Sequence, residues 1–175
     1  MDNFAELVKH RRSIRKYLPK AVEPEKIERI TRTALMSPAS KRSNPWEFIV
    51  VQDRDMLRRL AECRPFGSKL VEGTPLGIVV IADTTKSDVW MEDASIAALM
   101  LQLQAQDLGL GSCWVQVHGR EKEDGLTAEE YVRGLLGIPP HYAVLNIVSI
   151  GYPDEERKPY DEAKPPYDKI HQEVF

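Results

Sequence analysis

The sequence predicts a layered α+β or α/β domain, a single sheet covered by helices. Helical and strand-like patterns alternate along the chain, with about four strands among them. The run Leu76-Gly-Ile-Val-Val-Ile-Ala82 is too apolar to leave one face in water, so it reads as a central strand needing cover on both sides. At 175 residues the chain suits one domain of ordinary size, and 42% hydrophobic with 29% charged residues excludes a disordered or fibrous polymer.

Phe4, Leu7 and Val8 recur at helical spacing, which predicts a short amphipathic helix over 4–10. It runs into the basic stretch His10-Arg-Arg-Ser-Ile-Arg-Lys-Tyr17, and Pro19 prevents continuation. Pro24 opens a second helix at a favoured first-turn position, with Ile27, Ile30, Thr31, Ala34 and Leu35 on one face. Ser37-Pro38 ends it, because the residue before proline is pushed out of the helical region. A polar loop from Ala39 to Pro45 leads to the strand Trp46–Val51. Asp53 is placed to cap a helix of about eight residues containing Leu57, Leu60 and Ala61. The connection from Val51 to Leu76 is long enough for a crossover, so parallel and antiparallel sheets both stay open.

Val89 to Leu108 reads as the longest helix, with little polar circumference in its middle turns; such a helix is buried in a core or an interface. Gly109 ends it, and Ser112 to Val117 is strand-like. Thr127-Ala-Glu-Glu130 matches a capping box for a helix ending near Gly137. Tyr142 to Ile150 is the last apolar strand. The segment 154–175 holds three prolines, few aliphatics and many charges, so it is either disordered or laid along another surface.

The formal charge of −3 excludes a general nucleic-acid binder, while leaving a local basic cluster possible. Cys63 and Cys113 form no disulfide framework, and with His10, His118, His141 and His171 they give no metal-ligand spacing; no metal is expected. No leader-like or membrane-spanning apolar run is seen, so the expectation is a cytoplasmic protein without a membrane partner.

Three constellations could carry chemistry. In Arg11-Arg-Ser-Ile-Arg15, residues 11, 13 and 15 share one side of an extended segment, a suitable phosphate grip; a solvated basic turn is the alternative. The loop Ser37-Pro-Ala-Ser-Lys-Arg-Ser-Asn-Pro-Trp46 is either a polar ligand rim or a connector. Gly109-Leu-Gly-Ser-Cys-Trp114 is a helix stop leading into a strand, so function there would use backbone from Trp114 to Val117. No GxGxxG, P-loop, GxSxG or HExxH motif occurs. Cys113 reads as a small buried hydrophobe.

In this order, and with Gly151-Tyr-Pro153 before a Pro-rich tail, these motifs resemble the nitroreductase family of flavin mononucleotide (FMN) enzymes. The resemblance implies an α+β, three-layer fold with a central, mostly antiparallel sheet. It implies an intertwined homodimer with flavin at the interface, residues 1–175 forming one FMN-binding domain and 154–175 docking on the partner subunit. It assigns Arg11 and Ser13 to the phosphate and ribityl end and Arg15 to the pyrimidine ring, with Arg12 also among the cofactor-binding residues. Pro38, Ala39 and Ser40 would pass the ring from the partner. Trp114, Val115, Gln116 and Val117 would line the opposite edge, with the Gln116 amide near flavin N5. Lys164, or Lys158 as rival, would supply the basic phosphate ligand from the tail, and Lys69 a ring contact. Arg42 and Asn44 depart from the Asn and Gln common in that loop, and the long insertion of larger members is missing. The implied activity is hydride transfer from NADH or NADPH to FMN. Electrons then pass by a ping-pong mechanism to a small-molecule acceptor: a nitroaromatic, a quinone or another conjugated electrophile. Flavin binding or storage with little turnover, and reductive dehalogenation, are the alternatives.

Overall fold

The computed structural model describes residues 3–122 and 125–175; Met1, Asp2, Glu123 and Asp124, which fall within the expected 1–175 domain, lie outside the described residues. Four strands, β1 (Trp46–Val51), β2 (Leu76–Asp83), β3 (Gly111–Gln116) and β4 (Tyr142–Gly151), form one sheet in the order β1-β2-β4-β3. All three pairings are antiparallel. The long connection after Val51 is therefore an excursion over one face and not a crossover. The fold is α+β.

Among the described residues five α-helices flank the sheet: α1 (Phe4–His10), α2 (Pro24–Leu35), α3 (Arg54–Ala61), α4 (Trp90–Asp107) and α5 (Ala128–Leu136). Ile30 and Ala34 of α2 pack with Ala94, Ala97, Ala98, Leu101 and Ala105 of α4 against one sheet face. Leu57, Leu60 and Ala61 of α3 and Ala128 and Val132 of α5 cover the other. The result is three layers, and β2 is buried along its whole length. Each fully covered Val or Ile there contributes roughly 1.5–3 kcal/mol of transfer free energy, which explains why an uninterrupted apolar run is kept.

Local signals place the helix ends. The Asp53 carboxylate accepts from the Met56 N–H, and Thr127 and Glu130 close a reciprocal capping box. Gly137 terminates α5 in the left-handed conformation at φ 66°. Helix α4 buries the small-residue side and leaves Met91, Ile96 and Leu99 at 40–45% exposure. The four alanines, with Leu101, let α4 approach the sheet closely, while Met91, Ile96 and Leu99 point the other way.

The tail has no core of its own, yet it is placed. Asp154 N–H donates to the Lys16 carbonyl and Tyr160 N–H to the Lys9 carbonyl. Lys9 pairs with Glu162 at 3.1 Å. In this single chain the tail thus runs along its own α1, leaving an apolar groove of about 880 Å³ between them. Beyond it, Ile170, Val174 and Phe175 are exposed. No helix among the described residues is long and apolar enough to cross a membrane.

Candidate functional site

The site grows from the free edge of β3. Ser13 forms an isolated parallel bridge with Ser112, and the Ile14 N–H donates to the Ser112 carbonyl at 2.9 Å. Ile14 turns inward and is buried, sitting directly over Gly111, where a Cβ would lie 2.7 Å from Ile14 Cβ. Extended backbone alternates its side chains, so with residue 14 inside, Ser13 and Arg15 face away from the core. Tyr17, also buried, holds its hydroxyl 2.6 Å from the Ile14 carbonyl and 2.8 Å from Ser149 Oγ; burial pushes this phenol up and keeps it neutral. The Arg15 N–H donates to the Glu155 carboxylate. That bond first, and Arg157 beside it, hold Glu155 below the usual carboxylate range. The segment is thus braced at three consecutive levels.

Two of the three arginines share this edge. Among the described residues neither Arg11 nor Arg15 pairs its guanidinium with a carboxylate; Arg15 reaches only the Ser13 carbonyl, at 3.4 Å. Arg12 turns to the tail, lying 4.6 Å from the Tyr160 ring centroid and donating to the Lys158 carbonyl. A hollow of about 410 Å³ opens beside Arg15, with Lys16, Tyr17, Lys69, Leu70 and Asp154 in its wall. It brings Arg15 and Lys69 together, although they are far apart in sequence; Lys69 also pairs with Glu72.

Strand β3 supplies the floor. Ser112 accepts from Ile14 and the Gln116 carbonyl accepts from Arg64, while Val117 N–H turns inward to the Leu145 carbonyl. Even-numbered residues of β3 therefore point their backbone away from β4, into the site. The side chains of Trp114 and Gln116 are occupied elsewhere: Trp114 Nε1 donates to Gln116 Oε1 at 2.8 Å, and Gln116 Nε2 to the His118 carbonyl at 2.8 Å. Val115 and Val117 are buried beneath the sheet. What this stretch offers a ligand is backbone. Cys113 is buried and its thiol is pushed up by that burial, so it is protonated and inert near neutral pH.

The remaining expected residues lie elsewhere in this chain. Pro38, Ala39 and Ser40 precede β1, at the opposite edge of the sheet from β3. Three inter-strand steps of about 4.8 Å separate these edges, roughly 14 Å. Ser40 N–H is held there by the Asp93 carboxylate at 2.8 Å. The next residues are strained: Lys41, Arg42 and Asn44 all have positive φ, and Ser37 Oγ, Ser43 Oγ and Trp46 Nε1 have no hydrogen-bond partner among the described residues. Lys164 sits in the α1–tail groove with Arg12, paired with Asp161 at 3.1 Å. It does not join Arg11 and Ser13 here.

Two contributors escaped the sequence reading. Arg64 contacts the Gln116 backbone across 52 positions, and Glu155 braces Arg15 across 140; no local pattern signals either. His118 pairs with Glu129 at 2.9 Å and meets the Trp90 ring edge-on. Among the described residues no group of three or more His, Cys, Asp or Glu is arranged for a metal ion.

The guanidiniums of Arg11 and Arg15, the Ser13 hydroxyl and the outward backbone groups of β3 together offer donors suited to an anionic group and to the heteroatoms of a flat ring.

The Nitroreductase family model matches residues 8–64 and 64–152. A solved structure of an FMN-dependent nitroreductase from Clostridium difficile is 48% identical, covering 98% of this chain and all of its own, with a TM-score of 0.97. A protein of Archaeoglobus fulgidus provisionally named NADH dehydrogenase/NAD(P)H nitroreductase is 38% identical over the full length of both chains. Human iodotyrosine deiodinase 1 is more distant, at 23% identity over 97% of this chain and 68% of its own.

Proposed function

The chain belongs to the nitroreductase family, and from that premise we propose that it is an FMN-dependent oxidoreductase. It takes reducing equivalents from NADH or NADPH and delivers them, in a separate half-reaction, to a nitroaromatic, a quinone or another conjugated acceptor. For a quinone, the nicotinamide loses a hydride and the acceptor gains that hydride and one proton. FMN supplies the hydride-accepting ring, and the protein supplies position and charge. The carrying observation is the pair of unpaired guanidiniums, Arg11 and Arg15, on either side of Ser13 along the outward-facing backbone of β3.

In this reading Arg11 and Ser13 hold the phosphate. Arg15, with Lys69 beside it, holds the pyrimidine edge and favours the more negative reduced cofactor. The outward N–H of Gln116 orients the ring. Arg12 fixes the tail and is only indirectly a ligand residue, and Lys164 reaches the phosphate only by moving with the tail. Pro38, Ala39 and Ser40 complete the site from a second copy of the chain, and residues 154–175 dock on that copy. Support comes from β1 and β3 lying at opposite edges of the sheet and from the exposed apolar face of α4.

The test is anaerobic mixing of the yellow holoprotein with each nicotinamide, followed by a quinone. Prompt bleaching and then recovery of the flavin absorbance are expected, with parallel double-reciprocal lines at steady state. Bound flavin that neither nicotinamide reduces would instead mark a binding or storage protein. Light scattering should give twice the chain mass, and deletion of 154–175 should reduce dimerisation and flavin retention together.

A further inference from the structure

Arg64 lies in the loop that follows α3, and its Nη1 donates to the Gln116 carbonyl at 3.0 Å. The guanidinium is folded beneath its own loop. A Cβ on Gly67 would lie in ordinary contact with it, 3.4 Å from Nη2 and 3.7 Å from Cζ, and residue 67 has φ +83°, so a side chain there would be strained. Ser68, fully buried, pins the turn by donating to the Ala61 carbonyl at 2.7 Å. The cation is therefore placed by construction, half-buried, at the outward backbone of β3.

Its only protein partner among the described residues is a neutral carbonyl, and no carboxylate there pairs with it. A guanidinium has five N–H donors, so most of its capacity is left over. Satisfying a strand-edge carbonyl does not require a charge; water or a neutral donor would serve. Holding an uncompensated cation half-buried carries a desolvation cost, which an anionic ligand would offset. The cofactor phosphate is not that anion. Phosphate belongs with Arg11 and Ser13, and Ser13 pairs with Ser112, four residues or roughly 13 Å along the strand from Gln116. Arg64 instead stands beside the backbone assigned to the reactive edge of the ring, where the acceptor must dock.

We propose that Arg64 is an anion anchor for the electron acceptor, selecting conjugated acceptors that carry a carboxylate or sulfonate. This rests on the oxidoreductase reading above. The decisive comparison uses para-nitrobenzoate and its methyl ester, a pair that differs in charge but shares the nitroaromatic ring. The ratio of their kcat/KM values is measured for wild type, Arg64→Gln and Arg64→Lys holoproteins. The ratio should fall about tenfold in Arg64→Gln, the scale of one charge-assisted contact, and recover in Arg64→Lys. Unreactive benzoate should perturb the absorbance of the oxidised flavin in wild type, more weakly as salt rises, and lose affinity by a similar factor in Arg64→Gln.

An unchanged ratio, or equal loss with acid and ester, would overturn the proposal. So would a loss confined to the nicotinamide half-reaction, which would assign the cation to the nicotinamide's diphosphate. Should Arg64→Gln lose flavin, the Arg64→Lys ratio and the salt dependence of benzoate binding to wild type decide instead. Failure of wild type to be reduced by either nicotinamide would refute the oxidoreductase reading, while the benzoate titration would still judge the anchor.

Discussion

Gly111→Ala should dislodge the arginine segment from the sheet. The new Cβ would lie 2.7 Å from both Ile14 Cβ and Cγ1 and 2.8 Å from Cγ2, whereas ordinary contact begins near 3.4 Å. Rotating the Ile14 side chain gives no relief, because its own Cβ is among the clashing atoms. The backbone at residue 14 must retreat by about 0.7 Å. That stretches the 2.9 Å bond from Ile14 N–H to the Ser112 carbonyl past useful length. Overpacking of this kind costs roughly 1–3 kcal/mol, and the lost bond about 1 kcal/mol more. For a chain of this size each kcal/mol moves the melting temperature by about 2–4 °C, so a fall of roughly 5–15 °C is expected. FMN affinity should weaken at least tenfold, since Arg11, Ser13 and Arg15 move with Ile14. Differential scanning calorimetry and titration of the apoprotein with FMN measure the two effects. Gly134→Ala is the control: it lies inside α5, a Cβ there meets nothing within 4 Å, and stability should rise by about 0.5–1 kcal/mol. A Gly111→Ala protein with wild-type melting and wild-type FMN affinity would show that the strand does not hold the arginines.

Arg15→Gln should lower the flavin midpoint potential by some tens of millivolts, from about 1.5–3 kcal/mol for a charged hydrogen bond and about 30 mV per 1.4 kcal/mol. Arg11→Gln should mainly weaken flavin retention; equal redox shifts in both would refute the assignment. Thr127→Ala removes the capping box of α5 and should cost about 1 kcal/mol in urea denaturation. Glu23 is held down to about 2 from 4.5, first by the Tyr152 hydroxyl that donates to it. Its carboxylate is therefore stabilising in full above pH 4.5, and the contribution is lost as pH falls toward about 2. Glu23→Gln should flatten that part of the acid-denaturation curve and leave the rest unchanged.

Elements bounded by their own chemistry were legible in the sequence. The Asp53 and Thr127 caps, Pro24 at the start of α2 and the Gly137 stop fix helix ends within a residue or two, because each is satisfied by atoms three or four positions away. The centrality of β2 was legible because burial on both faces leaves no polar alternation. The sense of strand pairing was not: 24 residues between Val51 and Leu76 suit an excursion as well as a crossover, and only the register distinguishes them. The arginine motif gave its alternation but not the fate of Arg12, whose partners lie in the tail. Arg64 was invisible for a similar reason. It stands in an ordinary turn, and its meaning comes wholly from the strand edge it meets.

The two half-sites argue together for a second copy. Strain in native chains persists where surrounding structure over-determines it, and three non-glycine residues with positive φ within four positions, Lys41, Arg42 and Asn44, concentrate it in the loop after Ser40. The side chains of Lys41, Arg42 and Asn44 are exposed, while within the loop the Arg42 and Ser43 N–H groups donate to the Ala39 and Ser40 carbonyls. The loop presents its backbone at the β1 edge, while the unpaired guanidiniums wait at the β3 edge. Met91, Ile96 and Leu99 of α4, with Leu35 and Met36 at the end of α2, are large apolar side chains left exposed on the helical layer. A second copy meeting that surface is the arrangement proposed above. The sheet-facing residues of α4, small except for Leu101, and the exposed Met91, Ile96 and Leu99 divide the helix into an inner and an outer face.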